Sequence, residues 1–181
     1  MDDIHFFIGD THFAQANIHF RVRPEFNSAK EHDDYIHRRI LETGNKTRTL
    51  WLTGDTFLKP SSFWRLEEYR LTYQQVNIVL GNHCHNALPG YASRLKGVNV
   101  MGSIKRFGFW LSHLPVHPVD LERGKNIHAH NHNRVTLLDH TFKKDPNYFC
   151  TSAEVIDYKP ISLSEIKKRF KQQSEEYNER R

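Results

Sequence analysis

Apolar positions in this chain fall in short runs, and each run ends abruptly at polar residues with ligand chemistry. The clearest is Val76–Cys84, read Val-Asn-Ile-Val-Leu-Gly-Asn-His-Cys. Its β-branched content, its length and the glycine stop predict a buried strand that hands Asn82 and His83 to the carboxyl edge of a sheet. The same grammar precedes Gly9-Asp10-Thr11-His12, Gly54-Asp55, His113 and Ala129-His130-Asn131-His132. Between these runs the period changes to that of a helix. Ser28 with Glu31 spells a capping box that opens a helix with Ile36 and Ile40 on one face, stopped by Gly44. Ser61 or Ser62 is expected to cap a second helix carrying Leu66, Tyr69 and Tyr73 on one stripe. Val98–Arg106 and Phe109–Ser112 read as two arms of a hairpin about Gly108. Val135–Leu138 and Tyr148–Ile156 read as further strands. Ser162 and Glu165 start a closing helix over about 162–178 with Leu163, Ile166 and Phe170 at helical spacing, its polar end expected to fray beyond Gln172.

A chain of 181 residues with 38% hydrophobic content builds one domain with its own core. The residues of interest run from position 10 to position 132, so a boundary inside that span would cut the site; the expectation is a single α/β domain, 1–181. No stretch approaches the ~18 consecutive apolar residues of a membrane span. The opening Met-Asp-Asp-Ile-His lacks the basic region of a secretory signal. Cys84 and Cys150 form neither a disulfide framework nor a Cys-x-x-Cys pair. A cytoplasmic setting without membrane contact is expected. The net charge of +5 and the isoelectric point near 9.2 lean mildly toward polyanionic partners. Lys167-Lys168-Arg169 and Arg180-Arg181, which carry much of that excess, read as a solvated helix face. Histidine changes the picture more: there are 13, and histidine is the commonest protein metal ligand.

The strand ends collect Asp10, His12, Asp55, Asn82, His83, His113, His130 and His132. Carboxylate, imidazole and amide oxygen without thiolate suit divalent manganese, iron or zinc. The set is too large for one tetrahedral ion and large enough for two ions sharing a bridge. Two ions about 3.5–4 Å apart clamp an in-line displacement at phosphorus. Each fragment alone is weak, since Gly-Asp after a strand is usually a turn and His-x-His is usually surface polarity. Their joint order, always at strand ends, carries the reading.

That order resembles the calcineurin-like metallophosphoesterases over roughly residues 4–133. Arg23-Pro24, Glu31-His32-Asp33 and the stretch from Cys150 through Glu154 to Pro160 extend the likeness to small prokaryotic and phage members. The resemblance implies two packed mixed β-sheets flanked by helices, an αββα sandwich. It implies two divalent ions, manganese first, with iron, zinc, nickel or cobalt as alternatives. Asp10, His12 and His132 would hold one ion, Asn82, His113 and His130 the other, with Asp55 bridging. A metal-bridging hydroxide would then hydrolyse a phosphodiester, nucleotide or nucleic-acid-like, while His83 acts on the phosphoryl oxygens or the leaving group. The alternatives are a phosphomonoesterase or phosphoprotein phosphatase of the same family, or a metal-stabilised nucleic-acid-binding module with weakened chemistry.

Two positions depart from the family pattern. Cys84 stands where an acidic residue usually supports the histidine, which predicts weaker protonation of the leaving group. Ala129 replaces the usual glycine, which is tolerable if its φ stays negative. Asn17, Arg21 and Arg23, in the loop after His12, are expected substrate contacts beside His83. His85, His117, His128 and His140 lie near loops that a substrate could reach, whereas His5, His32 and His37 read as structural.

Overall fold

Four of the apolar runs pair in parallel, in chain order: β1 (His5–Ile8), β2 (Thr49–Leu52), β3 (Gln75–Val79) and β4 (Val98–Met101). The computed structural model describes residues 2–133, 137–138 and 144–179. Parallel neighbours need crossovers, and α2 (Ala29–Thr43), α3 (Trp64–Thr72) and α4 (Leu88–Ala92) supply them; a short α1 (Ile18–Arg21) precedes α2. A second sheet holds β5 (Ile104–Arg106), β6 (Phe109–Leu111), β7 (Lys125–His128) and β8 (Tyr148–Cys150), in the order β5-β6-β7-β8. In it β6, β7 and β8 run parallel and β5 antiparallel. The short α5 (Pro118–Leu121) links β6 to β7. Late in the chain β9 (Ile161–Ser162) returns antiparallel to β1, and α6 (Leu163–Glu179) follows.

The two-residue period of the strands sorts the core into two layers. Ile8, Leu50, Leu52, Val76 and Ile78 pack against Ile36 and Ile40 of α2, Leu66 and Tyr69 of α3, and Leu88 and Ala92 of α4. The alternate positions Phe7 and Trp51 face the other way, onto Leu111 and Ile127 of the second sheet and Leu163, Ile166 and Phe170 of α6. Phe7 and Trp51 stack with centroids 5.9 Å apart. The architecture is mixed α/β, two packed mixed sheets flanked by helices. Among the described residues no helix is long and apolar enough to cross a membrane.

Several local expectations are redrawn. Ser28 caps α2 through Glu31 N at 3.1 Å, but Glu31 reaches back to Asn27 N at 2.9 Å, one residue earlier than the capping box predicts. Ser62 does not cap α3; its hydroxyl donates to Lys59 O at 2.6 Å inside a 3-10 turn, Pro60–Ser62. The long arm Val98–Arg106 divides between sheets. Val98–Met101 pairs with β3, Gly102-Ser103 cross over, and only Ile104–Arg106 forms the hairpin with β6. The expected strand Tyr148–Ile156 stops at Cys150 and turns into a 3-10 segment, Ala153–Ile156. Of Val135–Leu138, Val135 and Thr136 lie outside the described residues, as do His140 and Arg180-Arg181; Leu138 makes a single bridge to Lys144. Ser162 caps α6 by accepting from Glu165 N at 3.2 Å, and the helix stays continuous past Gln172 to Glu179.

Candidate metal centre

The carboxyl ends of β1, β2, β3, β6 and β7 open on one edge, where the two sheets are stitched together. Gly9 donates to Thr151 O at 2.8 Å and accepts from Ala153 N at 3.0 Å, so the end of β1 is bonded to the segment following β8. Asp10 N donates to Gly54 O at 3.0 Å and His12 N to Asp55 O at 2.9 Å. His130 N closes the ring onto Asp10 Oδ2 at 2.7 Å. Two clusters result, Asp10 with His12 and His132, and Asp55 with His113 and His130. Within each, the ligand atoms lie within 4.8 Å of one another, so each could hold a metal ion.

The backbone is strained where these residues sit. Asp10, His12, Asp55, His130 and His132 have φ of 48°, 49°, 46°, 68° and 52°. Left-handed backbone costs a non-glycine residue on the order of 1–2 kcal/mol, and such strain concentrates at functional sites. The glycines before the ligands are required by close approach. A Cβ on Gly54, whose φ is 100°, would lie 2.2 Å from His113 Nδ1, and one on Gly81 would lie 2.2 Å from Asp55 Oδ1. Ala129 keeps a negative φ, which is why alanine serves there.

Hydrogen bonding leaves several of the candidate ligand atoms free. Asp10 Oδ2 accepts from His130 N and from the Ser152 hydroxyl, whereas the buried Oδ1 makes no hydrogen bond and lies 3.7 Å from His12 Nε2. Neither ring nitrogen of the buried His12 makes a hydrogen bond. Orphaned buried polar atoms are costly and rare. His113 Nδ1 lies 3.1 Å from Thr53 O and therefore carries its proton there. Its Nε2 lone pair then faces Asp55 Oδ2 at 3.2 Å and Asn82 Oδ1 at 3.0 Å, two acceptors that only a proton or a cation reconciles with it. His132 Nδ1 is bonded to Glu154 Oε1 at 2.6 Å, which leaves its Nε2 available. Burial pushes the Asp10 and Asp55 carboxyls up, but the neighbouring histidines outweigh it and hold both below the ordinary value. Burial lowers His113 too, and there the Asp55 carboxylate wins and raises it. The donor set fits two divalent ions.

Asn82 and His83 lie on the open side of the centre. His83 is exposed, its ring centroid is 6.2 Å from that of His12, and its backbone N–H donates to Asp55 Oδ1 at 2.8 Å. Cys84 packs against the apolar cluster, and its sulfur accepts from Gly81 N at 3.3 Å. Its contacts are thus with the loop and the core, and none of them orients His83.

Arg23 is the main correction. It is not a substrate contact but a fully buried side chain, and three acceptors behind the centre engage its two terminal nitrogens. Nη2 donates to Asp10 O at 2.5 Å and to Glu154 Oε2 at 2.7 Å, and Nη1 meets His32 Nε2 at 2.6 Å. Arg21 and Asn17 are exposed at the two ends of α1, and neither side chain bonds to the ligand set. His85, His117 and His128 are engaged locally, by Ala87 N at 3.1 Å, Val119 N at 3.3 Å and Ala129 O at 2.7 Å respectively. His5, His32 and His37 serve packing and side-chain bonds, as expected.

Glu154 was not among the expected site residues. Burial pushes its carboxyl up, but His132 and the Arg23 charge hold it down to about 2. The available signal was a lone carboxylate in Thr-Ser-Ala-Glu154, in a stretch that reads as strand and so hides its direction.

No family model and no curated protein matches the sequence. Among solved structures, AQ665, a protein of unknown function from Aquifex aeolicus, matches with a TM-score of 0.64 at 22% identity, covering 91% of this chain and 97% of that one. The likeness is one of fold. A single-mutant Vps29 from Entamoeba histolytica matches at a TM-score of 0.40 and 19% identity, over 82% of this chain and 74% of that one.

Proposed function

We propose that this chain is a dinuclear, manganese-preferring phosphoesterase of the calcineurin-like type, acting on phosphodiesters of nucleotide or nucleic-acid character. The observation that carries the reading is the pair of Asp/His clusters on one strand edge with buried, unpartnered ligand atoms. Asp10, His12 and His132 would hold one ion and His113, His130 and Asn82 the other, with Asp55 between them. Ions bound there supply Lewis acidity and a nucleophilic water at neutral pH. The chain's own residues do the rest. The Thr53 carbonyl and the Glu154 carboxylate fix which nitrogen of His113 and of His132 carries the proton, and so which is free to ligate. His83, exposed and with its ring centroid 6.2 Å from that of His12, would stabilise phosphoryl oxygens or protonate the leaving group.

A diester is favoured by charge. A monoester dianion calls for cationic side chains at the mouth, and the Arg23 guanidinium is spent behind Asp10 instead. The test is hydrolysis of bis- against mono-nitrophenyl phosphate after chelation and manganese add-back, with Asp55→Asn as control. Restored diester hydrolysis that Asp55→Asn lacks supports the reading. If manganese restores no hydrolysis of any activated phosphoester, the chain is a metal-stabilised binding module.

A further inference from the structure

We infer that Arg23 and Glu154 form a buried, charge-neutral brace that sets the metal affinity of the Asp10–His12–His132 position, with Glu154 acting through His132 and Arg23 through Asp10. The inference rests on the metal-centre part of the proposed function. Glu154 lies 131 residues from Arg23 in sequence, yet Oε2 bonds Arg23 Nη2 at 2.7 Å and Oε1 bonds His132 Nδ1 at 2.6 Å. Both side chains are shut away, at 7% and 0% exposure. The same Nη2 bonds the carbonyl of Asp10 at 2.5 Å, so one buried guanidinium sits directly behind a ligand residue.

Two consequences follow from this geometry. Glu154 pins the proton of His132 on Nδ1 and so presents Nε2 toward Asp10 and His12, the arrangement by which an outer carboxylate orients a metal-binding histidine. It also cancels a buried positive charge that would otherwise repel a cation held by Asp10 and His12. On the far side, His32 accepts from Arg23, holds Asp33 Oδ1 at 2.9 Å, and Asp33 Oδ2 takes the N–H of Ala14 at 2.9 Å. The brace thereby ties the loop after His12 to the segment after β8. Among the described residues the Asp55–His113–His130 position has no such paired carboxylate and cation behind it; His113 leans on the Thr53 carbonyl.

The test is manganese binding by the full chain, read by titration calorimetry and by the spin-coupled signal of a dinuclear manganese pair. The wild type is expected to bind two ions. Glu154→Gln should weaken one position about 10–100-fold and leave the other unchanged, turning the spectrum mononuclear at concentrations that fill both positions in the wild type. Glu154→Asp, which keeps the charge for Arg23 but shortens the reach to His132, should give a smaller loss at the same position. Arg23→Gln combined with Glu154→Gln should lose less affinity than the product of the two singles, because neither buried charge is left unpaired. Unchanged affinities in Glu154→Gln, equal weakening of both positions, or strict additivity in the double variant would overturn the brace. A wild type that binds no manganese overturns the centre and the brace together. One that binds two ions without hydrolysing any phosphoester leaves the brace standing and removes only the phosphoesterase.

Discussion

The two candidate metal positions are built from similar residues and supported in opposite ways. Asp10 and His12 are buried, and a guanidinium, a carboxylate and His32 back them. Asp55 and His113 are buried too, but their support is backbone, the Thr53 carbonyl on His113 and the His83 N–H on Asp55, and their neighbours Asn82 and His83 are exposed. The first position has a wall of buried, paired charges behind it. The second borders the exposed Asn82 and His83. Similar ligands thus serve different ends, according to whether side chains or backbone stand behind them.

Three changes would break or sharpen that contrast. The largest effect is expected from Gly54→Ala, which places a Cβ against the His113 ring in a backbone that alanine resists. It should empty the second position in a manganese titration while sparing the first, and lower hydrolysis on the order of a thousandfold. His83→Gln should come next. We expect kcat down about a hundredfold with both manganese affinities intact, the loss growing as the leaving group worsens; an equal loss for every leaving group would make His83 a binder of phosphoryl oxygens only. The smallest effect concerns the wall. Burial and then the Arg23 charge hold His32 below its ordinary 6.5, against the pull of Asp33. Its contribution to stability is therefore complete above 6.5 and is lost as pH falls toward the folded value, at no more than about 1.4 kcal/mol per pH unit. Melting temperatures of the chelated protein should fall less steeply with acid in His32→Gln; identical slopes would refute a neutral His32.

The candidate ligands of the first sheet were legible because β1, β2 and β3 each announce their own end: an apolar run, a glycine, then Asp or Asn. That is local information, and it located Asp10, Asp55 and Asn82 without the fold. What sits behind the ligands was not legible. Arg23 reads as one more loop cation, and Glu154 as part of a strand, until a contact spanning 131 residues joins them. The hairpin about Gly108 is there, but the extent of its first arm was missed for a related reason. Val98–Arg106 looks continuous, and no local pattern reveals that Gly102-Ser103 carry it from one sheet to the other. Cys84 was weighed against a catalytic histidine, but it packs against the apolar cluster that α2, α3 and α4 share with the first sheet, which the local Gly-Asn-His-Cys pattern does not reveal.

The bonds from Gly9 to the segment following β8 bear on how the molecule is made. Every expected ligand lies between residues 10 and 132, so a chain still on the ribosome and ending short of residue 150 already contains them all. It lacks Ser152 for Asp10 and Glu154 for His132. Translation therefore delivers the ligands first and the means of holding them last, and loading with metal should be a late event in biosynthesis, after the second sheet has closed on the first.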